Sequence, residues 1–174
     1  GFGHFFDCLY HEVYLARAAI QSPPKRIFAL GGNLNHTEIS VEDAMFCQIE
    51  FENGAIGIFQ DCKAFHEAGV STFETYGSDG AIIRVMPEAR HDKQMRYLHR
   101  GGETSCVPKS PHTTYHGMTG VYRDFIDSLK SGAALPYHAS VAGDGRENLR
   151  TVLAAYESMN SGKVIDMTDW KVRA

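Results

Sequence analysis

The sequence predicts an α+β fold: a mostly antiparallel, open β-sheet with helices packed on one face. Three observations carry that expectation. The opening segment has helical spacing and no internal Gly or Pro, three strand-turn-strand patterns follow one another, and the last third returns to a 3.6-residue period. A length of 174 residues suits one domain, residues 1–174, and 43% hydrophobic against 22% charged residues is the balance of a chain that buries a core.

Taken in order, His4 to Ile20 places Phe5, Leu9, Val13 and Ala16 at helical spacing, and Ser22-Pro23-Pro24 stops the helix. Arg26 to Leu30 is apolar enough for a strand, punctuated by Gly31-Gly32-Asn33, and Asn33 to Ser40 reads as loop. Val41 to Glu52 alternates, with Met45, Cys47, Ile49 and Phe51 on one side. Asn53-Gly54 then leads into a second alternating run, Ala55 to Cys62. A two-residue turn there would put Cys47 opposite Gln60 and only diagonal to Cys62, too far for a disulfide. It would also put Ile56 and Ile58 on the side of Cys47, with Phe46 and Phe59 on the other. Ser71 to Tyr76 and Ala81 to Met86 flank Gly77-Ser78-Asp79-Gly80; Gln94 to His99 and Thr104 to Pro108 flank Gly101-Gly102. Gly117 to Lys130 carries a stripe of Val121, Tyr122, Phe125, Ile126 and Leu129 and ends at Gly132. Ser140 to Met159 forms the last helix before Ser161-Gly162, and Val164 to Met167 can add a short strand.

The formal net charge is −4, and the longest basic stretch, Arg90 to Arg100, interleaves its cations with His and apolar residues, so nucleic acid is not an expected partner. No apolar run approaches the ~20 residues that span a bilayer, and Gly1 to Tyr10 has no signal-peptide features. Cys8, Cys47, Cys62 and Cys106 form no Cys-x-x-Cys pair. That fits neither a disulfide scaffold nor a zinc knuckle, and a reducing, cytoplasmic setting is expected.

Candidate chemistry concentrates in the first helix. His4, Asp7 and His11 sit at i, i+3 and i+7, and on an α-helix the Asp7 and His11 Cβ atoms would lie ~5–6 Å apart. A carboxylate at that distance can fix an imidazole tautomer and leave the other ring nitrogen for a substrate hydroxyl; an exposed face with an ordinary i, i+4 pair has the same spacing. Two His and one carboxylate are also an open metal-site ligand set. His4 is poorly fixed in a first turn and no second His follows His11 at zincin spacing, so no metal is expected. His112 and His116 read as loop histidines. The only Gly-x-Gly, Gly1-Phe2-Gly3, has no strand before it, so this chain is not expected to bind a dinucleotide by itself.

Beyond these patterns, Gly1-Phe2-Gly3-His4-Phe5-Phe6-Asp7-Cys8-Leu9-Tyr10-His11 resembles the segment that opens the C-terminal domain of the glucose-fructose oxidoreductase and inositol dehydrogenase family. Val41 to Ala44 leading into Phe51 to Gly57 resembles that family's first hairpin, and Phe73 to Gly80 its next turn. Tyr122 to Leu129 and Ala154 to Ser158 resemble its last two helices. The resemblance implies a substrate-binding and catalytic domain of an NAD(P)-dependent oxidoreductase acting on a secondary hydroxyl of a sugar, inositol or related polyol. In that reading His11 is the general acid/base, Asp7 its orienting or substrate-binding partner, and His4 a further substrate contact. NAD or NADP would bind to an N-terminal Rossmann domain, absent from this chain together with the family's Glu-Lys-Pro lysine, so catalysis by the chain alone is not expected. The alternative is a non-catalytic binding or dimerisation module that keeps the fold. With helices on one sheet face and apolar side chains on both, the other face is expected to pair with a second copy, as a homodimer or tetramer.

Overall fold

The computed structural model describes residues 2–63, 71–86, 94–99, 102–105, 118–134 and 142–172. The chain divides into two compact units: residues 1–65 with 140–174, and residues 66–139. The first is built from both ends of the chain, so the second is an insertion in its sequence.

In the first unit a single π-helical turn, Phe5–Leu9, runs straight into α1, Tyr10–Ile20. Gln21 ends α1 in the left-handed region at φ 53°, donating its N–H to the Arg17 carbonyl, before the two prolines. Strands β1 (Pro24–Gly32), β2 (Ala44–Phe51) and β3 (Ile56–Cys62) follow. The long helix α3, Ala142–Ser161, and the short β8, Ile165–Asp166, complete the unit. The sheet order is β3-β2-β1-β8, all antiparallel. β1 extends two residues beyond the expected strand at each end, so Gly31 and Gly32 lie within it. A Cβ on Gly31 would come within 2.6 Å of the Ala44 carbonyl oxygen, which explains why glycine is tolerated there.

The core fills the space between one sheet face and the helices α1 and α3. Ile27 and Ala29 of β1, Cys47, Ile49 and Phe51 of β2, and Phe59 of β3 are all buried. They cluster with Phe5, Val13 and Ala16 from the first helical segment and with Val152, Ala154 and Ala155 of α3. Ser158 ties helix to strand: its buried hydroxyl accepts the Ala29 N–H at 2.9 Å and donates to the Lys163 carbonyl at 2.6 Å. Gly162, at φ 66°, closes α3 with an N–H to the Ser158 carbonyl, the expected glycine stop.

The β2-β3 hairpin forms where expected but in a different register. Cys47 pairs with Phe59, and Ala44 with Cys62. The connection is a three-residue loop, Glu52 to Gly54, closed by Phe51 N–H to the Ala55 carbonyl, and Gly54 takes φ 86°. This is the turn-plus-bulge solution, in which one residue needs a positive φ rather than two. Asn53 is instead used to tie the turn down: its N–H donates to Ser22 Oγ and its side-chain amide to the Ile20 carbonyl. Moving the register by one residue moves every β3 side chain to the opposite face. Phe59 therefore joins the core, while Ile56 and Ile58 are 62% and 65% exposed beside Phe46 and Leu30 on the face opposite α1 and α3. Cys47 and Cys62 are free thiols, one buried and one exposed.

The second unit holds β4 (Ser71–Gly77), β5 (Gly80–Met86), β6 (Gln94–His99) and β7 (Gly102–Ser105), a meander in sequence order, and α2, Met118–Ser131. Gly77 pairs with Gly80, so Ser78 and Asp79 make the two-residue turn. Gly132 caps α2 at φ 68° with an N–H to the Ser128 carbonyl. The α2 stripe expected to be a packing face is exposed, from Val121 at 46% to Leu129 at 68%. The expected strand residues Cys106 to Pro108 and the histidines His112 and His116 lie outside the described residues.

Candidate functional site

The segment carrying His4, Asp7 and His11 is held from three directions. Tyr10 donates its phenolic O–H to the Gly145 carbonyl at 3.3 Å, and Arg17 Nη1 donates to Asn148 Oδ1 at 2.6 Å, fastening α1 to the start of α3. At the opposite end the first turn meets two buried groups, Glu42 from the loop before β2 and Tyr156 from α3, 6% and 7% exposed. The Tyr156 phenol donates to Glu42 Oε1 and accepts the N–H groups of Gly3 and Phe6, each at 3.2 Å. Glu42 Oε1 also accepts the Phe5 N–H at 3.2 Å. These amides open the first helical turn, where few backbone partners are available; only the Phe6 N–H has one, the Gly3 carbonyl at 3.2 Å, which it shares with Tyr156. Burial, then the bond to Glu42, raises the Tyr156 pKa far above the ordinary phenol value, so this hydroxyl remains a donor at any physiological pH.

Gly3 is required by this arrangement. A Cβ at that position would overlap the Glu42 carboxyl group, which is pinned by Tyr156 and cannot swing aside freely. Around the polar centre Phe2 stacks on Phe6 with centroids 4.6 Å apart, and Phe5 meets Tyr156 edge to face at 6.1 Å.

Of the three residues that spacing groups together, His4 has a partner on β3, while Asp7 and His11 are exposed. His4 turns its Nδ1 to Asp61 Oδ2 near the end of β3, both half-buried. Asp7 and His11 are exposed, and among the described residues no hydrogen bond joins them. The His11 ring packs edge-on against Tyr10 at 5.7 Å. Asp7 sits inside the π turn, whose i→i+5 closure takes one more residue than an α turn. A π turn is also a common device for re-aiming side chains at functional sites.

Glu42, Asp61 and Tyr156 are the residues that sequence spacing could not find. They are separated from their partners by 37 residues for Glu42 and Phe5, 57 for His4 and Asp61, and 150 for Tyr156 and Phe6. The only available signal was that Glu42 and Tyr156 stand within segments resembling the family.

Next to Glu42, Asp43 points the other way and organises the loop before β2. Its carboxylate accepts the N–H groups of Leu34 and Asn35 at 2.8 Å and of His36 at 2.9 Å, while Asn33 Nδ2 donates to the His36 and Ile39 carbonyls. Burial opposes ionisation of Asp43, and the three backbone donors override it, so its pKa falls below the usual value. The His36 pKa is raised by its bonds to the Lys63 carbonyl and to Glu38.

As to bound groups, no cluster of three or more His, Cys, Asp or Glu side chains among the described residues is arranged to hold a metal ion. The helix following the Gly-x-Gly cannot cradle a pyrophosphate either. Its N-terminal amides are already bonded to Glu42 and Tyr156, and the space beside Gly3 is filled by a carboxyl group of the same charge as the ligand. The residues present do not fit a dinucleotide there. No helix among the described residues is long and apolar enough to cross a membrane.

Residues 1–83 match the GFO/IDH/MocA C-terminal domain. The chain is 22% identical over 169 residues to 1,5-anhydro-D-fructose reductase of Ensifer adhaerens, covering 96% of this chain and 48% of that protein. Its fold matches the aldose-aldose oxidoreductase of Caulobacter crescentus complexed with glycerol at a TM-score of 0.75 and 16% identity, over 91% of this chain and 45% of that one. It also matches an inositol dehydrogenase homolog complexed with NAD+ from Azotobacter vinelandii at a TM-score of 0.73 and 17% identity, over 92% and 47%. The chain spans about half the length of these relatives. The resemblance read from the motifs is therefore borne out by the family match over residues 1–83, and the fold of the chain is that of these solved oxidoreductase structures.

Proposed function

We propose that this chain is the substrate-facing half of an NAD(P)-linked oxidoreductase that acts on a secondary hydroxyl of a sugar, inositol or related polyol, with the nucleotide held by a separate Rossmann domain. The observation that carries the reading is the presentation of Asp7 and His11 at the surface of a segment that is otherwise clamped, within the stretch matching the family. An accessible imidazole can accept the proton of a bound hydroxyl, and a nearby carboxylate can take a hydrogen bond from the substrate and favour the imidazolium. His4, steadied by Asp61, offers a further polar contact on the same segment. The names of the relatives support the substrate class: an anhydrofructose reductase, an aldose-aldose oxidoreductase and an inositol dehydrogenase homolog.

The test is turnover of a panel of aldoses and inositols with NAD and NADP, by the chain joined to its nucleotide-binding domain. His11→Ala is expected to lower turnover by about 10²- to 10⁴-fold. His36→Ala, on the loop before β2, serves as the control. Activity of His11→Ala within a few-fold of the unsubstituted enzyme would reject the assignment.

A second role is compatible with the first. The face of the first sheet opposite its helices carries Leu30, Phe46, Ile56 and Ile58, all more than 40% exposed, and we propose that it pairs with a second copy of the chain as a homodimer or dimer of dimers.

A further inference from the structure

We propose that the buried Glu42–Tyr156 pair is a positioning device for the site, fixing the turn that carries His4 and Asp7 rather than merely filling the core. The inference rests on reading that turn as part of the substrate site, and it adds two residues that act through it.

A packing role alone would need neither group to be polar. Here both are buried, and among the described residues every polar side-chain contact they make is to the one segment, 3–6, or to each other. Tyr156 is anchored on α3, whose neighbours Val152, Ala154 and Ala155 are core residues, and Glu42 precedes the central strand β2. The pair thus transfers the rigidity of the sheet and the long helix to three partners in one turn, Gly3, Phe5 and Phe6. An acceptor at the beginning of a helix also complements its positive end. Downstream, His4 can reach Asp61 only while this turn is held against β3, and Asp7 follows within the same π turn. Gly3 completes the device from the other side, since any side chain there would push against the carboxyl group that does the holding.

The proposal is tested on the full chain by NMR, without nucleotide or polyol, so that its failure is separable from failure of the oxidoreductase reading, which turnover reports. The probes are the ¹⁵N resonances of the His4 ring and the amide exchange rates of Gly3, Phe5 and Phe6. Tyr156→Phe is expected to speed exchange at Gly3 about tenfold, the loss of a hydrogen-bonded anchor, and to a lesser extent at Phe5, whose acceptor Glu42 remains, and at Phe6, whose N–H keeps the Gly3 carbonyl. It should also move the His4 ring signals, leaving those of His36 and the amides of Ala29 and Ile49 unchanged. Glu42→Ala should behave likewise, Glu42→Gln, which keeps an acceptor oxygen, should restore rates to within about twofold, and Gly3→Ala should loosen the same amides without touching the core. Unmoved His4 signals in Tyr156→Phe and Glu42→Ala would overturn the proposal. So would equal acceleration at Ala29 and Ile49, which would make the pair an ordinary contributor to global stability.

Discussion

Neighbouring residues Ile58 and Phe59 give the sharpest test of the first sheet. Phe59 is 8% exposed, opposite Cys47 and against the core, whereas Ile58 is 65% exposed on the other face. Truncating a buried Phe to Ala costs ~3–5 kcal/mol through lost burial and the cavity left behind, while a surface truncation remains within ~0.5 kcal/mol. With a urea slope of about 2 kcal/mol per molar, and at a protein concentration too low for pairing through this face, Phe59→Ala should lower the unfolding midpoint by roughly 2 M and Ile58→Ala by no more than about 0.3 M. Trp170 is the only tryptophan in the chain and belongs to the first unit, donating its indole N–H to Glu157 at 2.8 Å, so its fluorescence reports that unit. Equal losses, or a larger loss for Ile58→Ala, would mean that the hairpin has the two-residue turn, with Ile58 facing the core beside Cys47. The three-residue loop would then be refuted.

Four further outcomes are expected. Ser158→Ala leaves the Ala29 N–H and the Lys163 carbonyl without their partner at a fully buried position, and should cost about 2–4 kcal/mol in the same urea experiment; a loss under ~0.5 kcal/mol would show that the helix-strand tie is dispensable. The loop before β2 should be best protected from amide exchange between the two titrations that support it. Asp43, with a lowered pKa, contributes above its unfolded value near 3.8 and loses this as pH falls through the folded value. His36, with a raised pKa, contributes fully below 6.5 and loses this as pH rises through its folded value. Protection of Leu34 and Asn35 in Asp43→Asn that still followed pH as in the parent would contradict the Asp43 assignment. Peptide mapping after alkylation at pH 8 should find Cys62 modified and Cys47 intact, because burial pushes the Cys47 thiol up to about 12; rapid labelling of Cys47 would place it outside the core. Light scattering should show an oligomer that Ile58→Glu dissociates without unfolding, and a monodisperse monomer at high micromolar concentration would reject pairing through that face.

The order of elements, the antiparallel pairing and the glycine stops at Gly132 and Gly162 were all legible in the sequence, because each rests on local periodicity or on one residue's backbone freedom. The resemblance of the opening segment likewise needed only residues close together in the chain. The hairpin register was not legible: Asn53-Gly54 fits either loop length, and the choice fell to contacts of Asn53 with Ser22 and Ile20, more than thirty residues away in sequence. The π turn around Asp7 was not legible either, because helical spacing gives no sign of it, and what holds it is the bonding of the Gly3, Phe5 and Phe6 amides to Glu42 and Tyr156. Hydrophobic period and turn chemistry are properties of short windows, so the sequence alone determined which elements exist and in what order. Which groups meet Gly3, His4 and Phe59 depended on side chains brought together only when the sheet and helices pack, and that was left to the tertiary structure.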